Sequence, residues 1–87
     1  MAEYKIFFKA SVEKDLRAIP RKDTKIILQR IGSLAINPRP AGYEKLTGLE
    51  RYRLRHGNYR IIYSIQNFNL TVWIVKIAHR KDVYRKE

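Results

Sequence analysis

The chain has no cysteine, and that single absence removes a disulfide scaffold, a thiolate zinc site and a cysteine nucleophile. It has no apolar run approaching the ~18 residues of a membrane span, and no signal-peptide pattern opens it. The resulting expectation is a cytoplasmic domain with no membrane partner. Acidic residues are scarce: eight Asp and Glu stand against nineteen Lys and Arg, for a formal net charge of +11 at pH 7. Between Glu50 and Asp82 there is no acidic residue at all. Without paired carboxylates in that stretch a two-metal nuclease site is not expected. Without a G-x-x-x-x-G-K-[ST] loop, neither is nucleoside triphosphate chemistry. No metal and no cofactor are therefore anticipated.

What is present is enough for a fold. The 87 residues suit a single domain spanning positions 1–87. Apolar residues make up 45% of the chain and aromatics 11%, too many for a basic disordered tail. The charge is uneven. Ten basic and six acidic residues lie between Met1 and Glu50, against nine and two between Arg51 and Glu87. The acid-free stretch holds Arg51, Arg53, Arg55, Arg60, Lys76, Arg80 and Lys81, with His56 and His79. A polyanion is the partner such a balance suits.

The pattern of residues predicts an α+β domain. Tyr4-Lys5-Ile6-Phe7-Phe8 reads as a first strand. Ser11 is placed to cap a short helix whose apolar side is Val12, Leu16 and Ile19. Pro20 opens a second helix, expected to run to about Ile36 with Ile27, Ile31 and Leu34 as its stripe. Asn37-Pro38 ends it, because the residue before proline is driven out of the α region. Pro38 to Gly48 reads as a loop. Three β runs follow: Arg51 to His56, Tyr59 to Ile65 and Leu70 to Ala78. Gly57-Asn58 and Asn67-Phe68-Asn69 are the turns between them. The order is β-α-α-β-β-β, a two-helix hairpin packed on a small, mainly antiparallel sheet with a short C-terminal tail.

If Gly57-Asn58 is a two-residue loop, the pairing across the hairpin is fixed. His56 then opposes Tyr59, Arg55 opposes Arg60, and Arg53 opposes Ile62. Opposed residues share a face, and faces alternate along each strand. Tyr52, Leu54, His56, Tyr59, Ile61 and Tyr63 form one face, suited to the helices. Arg51, Arg53, Arg55 and Arg60 share the other. Like charges directly across strands are destabilising by up to about 1 kcal/mol. A surface designed for solubility would mix signs instead. The arginine fork fits phosphate oxygens, so a phosphate-binding concavity explains the pattern, with a merely solvated basic face as the alternative.

Such a face can serve chemistry or only binding. RNA cleavage without a metal needs the substrate 2′-hydroxyl aligned in line and the dianionic phosphorane stabilised. Arginines can supply that stabilisation, and aromatics can stack on the bases of single-stranded RNA. His56 falls on the helix-facing side, where packing or capping is the better account. His79 follows the last strand and is a candidate for proton transfer. Tyr84, three residues after Lys81, is a candidate aromatic or simply a docking residue.

Three segments resemble one known family. Arg51-Tyr52-Arg53-Leu54-Arg55-His56-Gly57-Asn58-Tyr59-Arg60-Ile61-Ile62-Tyr63 looks like the central hairpin of the RelE/ParE toxin superfamily. Ala78-His79-Arg80-Lys81-Asp82-Val83-Tyr84 looks like its C-terminal motif, and Val12 through Ile19 is similar to its first helix. The resemblance implies the toxin of a type II toxin–antitoxin pair, and the RelE branch in particular. A toxin of that branch enters the ribosomal A site and cleaves mRNA. Its partners would be mRNA, the ribosome and a small acidic or amphipathic antitoxin. By the same resemblance, Arg60 would contact the scissile phosphate, Arg80 would stabilise charge or protonate the leaving oxygen, and Tyr84 would stack on the message. Arg53 belongs to the implied catalytic set, with Arg51, Arg55 and Lys81 binding RNA phosphates. The best-known member has lysines where Arg51 and Arg53 stand. Arginine does not surrender its proton, so a general base at those positions is excluded. Tyr84 and His79 remain as candidate bases. A ParE-like inhibitor of DNA gyrase and a non-catalytic RNA-binding module are the alternatives on the same fold.

Overall fold

A computed structural model describes residues 3–46, 48 and 50–79. Strand β1 (Lys5–Phe8) leads directly into helix α1 (Ala10–Arg17). The junction is fixed by Lys9, whose N–H donates to the Ile74 carbonyl (2.9 Å) while its own carbonyl accepts from Val12 (2.9 Å). Lys9 is therefore the N-cap of α1, with no side-chain capping bond. The expected Ser11 cap is displaced because the helix starts as soon as β1 ends, leaving Ser11 inside its first turn. Helix α2 (Arg21–Ser33) starts as expected at Pro20, whose carbonyl accepts from Asp23 and Thr24 (2.9 and 3.0 Å). Its end comes earlier than Ile36. After Ser33 the backbone tightens into i→i+3 bonds, Leu34 to Ile31, Ala35 to Gly32 and Ile36 to Ser33 (3.0–3.2 Å). This tighter winding turns Leu34 into the core and frees Ala35 to accept the N–H of Tyr4 (2.7 Å).

The second half builds the sheet. Strands β2 (Glu44–Lys45), β3 (Tyr52–His56), β4 (Tyr59–Gln66) and β5 (Thr71–His79) follow in sequence. The spatial order is β1-β5-β4-β3-β2, with β1 parallel to β5 and the other pairs antiparallel. The two-residue strand β2 lies within the segment expected to be a loop. It forms because Glu44 and Lys45 pair with Arg53 and Tyr52 at the outer edge of β3.

The hairpin register is the expected one: Tyr52 opposes Tyr63, Arg53 Ile62, Leu54 Ile61, Arg55 Arg60 and His56 Tyr59. Gly57 supplies the left-handed backbone the turn requires, at φ +56°. One face of the sheet is covered by the helices. Val12, Ile27, Ile31 and Leu34 meet Leu54, Ile61, Tyr63, Val72, Ile74 and Ile77 in a single core. Tyr63 is the largest fully buried side chain, and its hydroxyl donates to the Pro38 carbonyl (2.7 Å). Between β4 and β5 the register slips at Val75: Ile62 pairs with Lys76, but Tyr63 pairs with Ile74. That bulge allows one strand to keep Ile77 and Ile74 on the core face on either side of the extra residue.

Past the end of β1, strand β5 has no strand neighbour on that side among the described residues. There Asp15 of α1 closes the edge. Its Oδ2 accepts the Ile77 N–H (3.1 Å), and its Oδ1 lies 3.9 Å from Lys76 Nζ. No helix among the described residues is long and apolar enough to cross a membrane.

Candidate nucleic-acid interface

The face of the sheet away from the helices carries the arginines. Arg53 and Arg55 come from β3, Arg60 from the central strand β4, and Arg51 immediately precedes β3. The exposures differ. Arg55 and Arg51 are exposed, Arg53 is half-buried, and Arg60 is only 2% exposed. The sequence pattern treats the four alike. Strand β4 lies between two long strands, whereas β3 has only the two residues of β2 on its outer side, so Arg60 is buried and Arg55 is not.

Two of these guanidiniums meet one carboxylate. Glu44 lies across from Arg53 in register and accepts a 2.6 Å bond from Arg53 Nη2, with Arg55 Nη2 4.0 Å from the same oxygen. The Arg53 hydrogen bond, then the Arg53 charge, hold the Glu44 carboxyl below its usual range, and Arg55 and Arg60 add to the effect. The Nε–H of Arg53 is buried and finds no acceptor among the described residues. Three positive charges thus act at one point where an oxyanion is seated. Glu44 could not be singled out from the sequence, because two residues of edge strand carry no pattern of their own.

Further along the same face a cleft of about 490 Å³ opens, lined by Lys9, Glu50, Arg51, Ser64, Gln66, Trp73 and Val75. Trp73 stacks against Phe7 on the neighbouring strand (centroids 5.1 Å, planes 28° apart), and Lys9 Nζ sits 4.9 Å from the Trp73 ring centre. Neither Trp73 nor Lys9 emerges from the sequence as a site residue. The Val75 bulge decides which way Trp73 faces, and nothing local in the sequence announces it.

His79 belongs elsewhere. It pairs with Tyr59, one residue out of phase with Arg60 and Ala78, and its ring meets Tyr59 edge-on at 5.5 Å. Tyr59 packs against the core, so His79 lies on the helix side, away from the groups around Glu44. The structure thus sets His79, a candidate for proton transfer, on the opposite side of the sheet from Arg53 and Arg55. His56 is likewise on the helix side, with Nε2 3.5 Å from Asp23 Oδ1. Arg80, Lys81 and Tyr84 lie outside the described residues. No group of three His, Asp or Glu side chains that could hold a metal ion occurs among the described residues.

Known proteins share this architecture. A family model described as "ParE toxin of type II toxin-antitoxin system, parDE" matches residues 6–84. Toxin RelE3 of Methanocaldococcus jannaschii is 33% identical over 92% of this chain and 94% of its own length. Toxin RelG of Mycobacterium tuberculosis is 29% identical over 95% and 98%. The archaeal RelE–RelB complex from Pyrococcus horikoshii superposes with a TM-score of 0.81 at 28% identity, covering 90% of this chain and 96% of that one. The relatives are named as toxins, and the family model as the toxin of a type II toxin–antitoxin system. This chain belongs to the RelE/ParE toxin superfamily, on its RelE-like branch.

Proposed function

We propose that this toxin is an endoribonuclease that cleaves mRNA in the ribosomal A site, using the RNA's own 2′-hydroxyl as nucleophile. The observation that carries the reading is the pair of guanidiniums, Arg53 at 2.6 Å and Arg55 at 4.0 Å, on one oxygen of the Glu44 carboxylate. A carboxylate and a phosphate present similar oxygens to an arginine fork. The scissile phosphate takes the place of Glu44 at Arg53. The 2′-oxygen attacks phosphorus in line, the bond to the 5′-oxygen breaks, and a 2′,3′-cyclic phosphate remains. Arg53 and Arg55 bind the non-bridging oxygens as charge builds on the phosphorane. Arg60, buried beside them, adds field in a low-dielectric setting where it counts for more. Arg51 and Lys81 hold flanking phosphates, Arg80 stabilises the leaving oxygen, and Tyr84 stacks on the message. Arginines keep their protons at neutral pH, so the 2′-hydroxyl proton leaves to water. A metal ion has no assigned step, because the arginines supply the positive charge.

The partner that silences the site is a cognate antitoxin. Solved relatives of 26–28% identity are RelE–RelB complexes. An acidic or amphipathic segment that folds as it binds suits a surface of this charge.

Primer extension on translated mRNA tests the reading. Cleavage within codons at the A site is expected with the protein and with chelator present, and is expected to fall at least a hundredfold in Arg53→Ala. Intact mRNA on translating ribosomes, or cleavage abolished by chelator, would refute it. Intact mRNA together with stabilised DNA cleavage complexes would establish the gyrase-directed activity instead.

A further inference from the structure

The outer face of the sheet holds a second feature that the arginine chemistry does not use. Phe7 and Trp73 are a cross-strand pair of the parallel β1–β5 ladder, and both lie on the side away from the core. Phe7 is 42% exposed. Large aromatics stacked on the open face of a small, highly charged domain are costly to leave in water and mark a contact surface. The polar groups around them are of mixed type. Lys9 covers the Trp73 ring, Arg51 brings a second cation, and Ser64 and Gln66 offer donors and acceptors at the far wall. A cleft of about 490 Å³ falls within the usual range for a small-ligand site.

We propose that this cleft is a nucleobase-stacking subsite for single-stranded RNA, with Trp73 as the platform. The subsite deepens the ribonuclease reading and rests on it. Ser64 opposes Trp73 across the ladder and stands four positions along β4 from Arg60. That interval is about 13 Å of strand. A phosphate bound at the arginine cluster therefore leaves the base of a nearby nucleotide within reach of Trp73. Aromatic stacking tolerates any base, because every base has a π face. Lys9 leaves the Trp73 ring to make room for the base and, with Arg51, neutralises the phosphate of that nucleotide, while Ser64 and Gln66 meet the base edge. The extra residue at Val75 increases the local strand twist and aims this stretch of β5 at the cleft. The occupant is RNA, not an apolar peptide, because two cations, Lys9 and Arg51, stand against the single carboxylate of Glu50 beside the aromatic floor, and the polar Ser64 and Gln66 form the wall.

Trp73 is the chain's one tryptophan, so its emission reports this subsite directly. The probe is a 2′-O-methyl RNA hexamer, which lacks the nucleophile and cannot be cut. Binding is followed by anisotropy with an end-labelled hexamer at low salt, and stacking by tryptophan emission with the unlabelled one. Quenching that saturates with the anisotropy change is expected. A hexamer with one abasic position in the subsite register is expected to restore emission and bind on the order of tenfold more weakly. Trp73→Ala is expected to lose a similar factor, and Trp73→Phe to bind within about twofold of the parent, since a ring remains to stack on. Circular dichroism confirms that each variant is folded. If Trp73→Ala does not fold, Lys9→Ala and the abasic series carry the same comparison. A full anisotropy change with unaltered emission overturns the subsite and leaves the phosphate reading standing. No anisotropy change at low salt overturns both.

Discussion

Replacing Tyr63 by Phe removes one oxygen atom from the centre of the molecule. The ring is fully buried, and its hydroxyl donates to the buried Pro38 carbonyl at 2.7 Å. Phe keeps the packing but leaves that carbonyl without its donor, at a cost of about 1–3 kcal/mol. For a domain of this size each kcal/mol lowers Tm by roughly 4–8 °C. The variant also has a signature in pH. Burial, reinforced by neighbouring Tyr43, pushes the Tyr63 hydroxyl up to about 12. In the unfolded chain it ionises near 10. Between about pH 10 and 12 the unfolded state releases this proton and the folded state holds it, so the wild type loses stability as pH rises. By pH 11 that loss is about 1.4 kcal/mol. Tyr63→Phe has no such proton. The stability gap between the two proteins is therefore widest near pH 8 and narrows above pH 10. Urea unfolding followed by circular dichroism at pH 8, 10 and 11 measures it. Equal stabilities at pH 8, or a gap that does not change with pH, would refute the reasoning.

Glu44→Gln removes the charge that competes with phosphate for Arg53 while keeping the side chain's size. Tighter binding of single-stranded RNA at low salt is expected, with the log–log salt slope steeper by about 0.7 for one more phosphate contact. Unchanged affinity in a filter-binding titration would show that Glu44 does not hold the phosphate position. Asp15→Ala strips the acceptor from the Ile77 N–H at the β5 edge and is expected to cost about 1–3 kcal/mol in urea unfolding. Asp15→Asn keeps an acceptor oxygen and should retain most of that stability; equal losses in the two variants would assign the effect to charge.

The hairpin was legible because two independent signals agreed. Gly57-Asn58 fixes a loop length, and strict alternation around it fixes the faces, so every pair from Tyr52–Tyr63 to His56–Tyr59 follows. What was not legible depended on distant parts of the chain. Strand β1 pairs in parallel with β5, and Lys5 and Thr71 are brought together by the whole fold, not by a turn. The turn before β5 runs through Asn67–Leu70 with Leu70 at φ +50°, a conformation glycine usually supplies, so the first residue of β5 was ambiguous. The bulge at Val75 compounds this, since one extra residue reverses the faces on either side of it. Trp73 was hidden for that reason. The burial of Arg60 was hidden for another: alternation gives the face of a residue, but only the strand order gives how many neighbours flank it.

The carboxylate of Asp15 has a consequence beyond the bond it makes. A sheet whose outer strand stops short exposes a ladder of backbone donors to any other extended chain, the usual route to aggregation. Here the open stretch of β5 is occupied by a charged side chain arriving from a helix, and an incoming strand would have to expel it before pairing. At the opposite edge, β2 offers only two residues. Asp15 on β5 and the brevity of β2 thus shorten the backbone ladder that this sheet offers to a second copy of the chain.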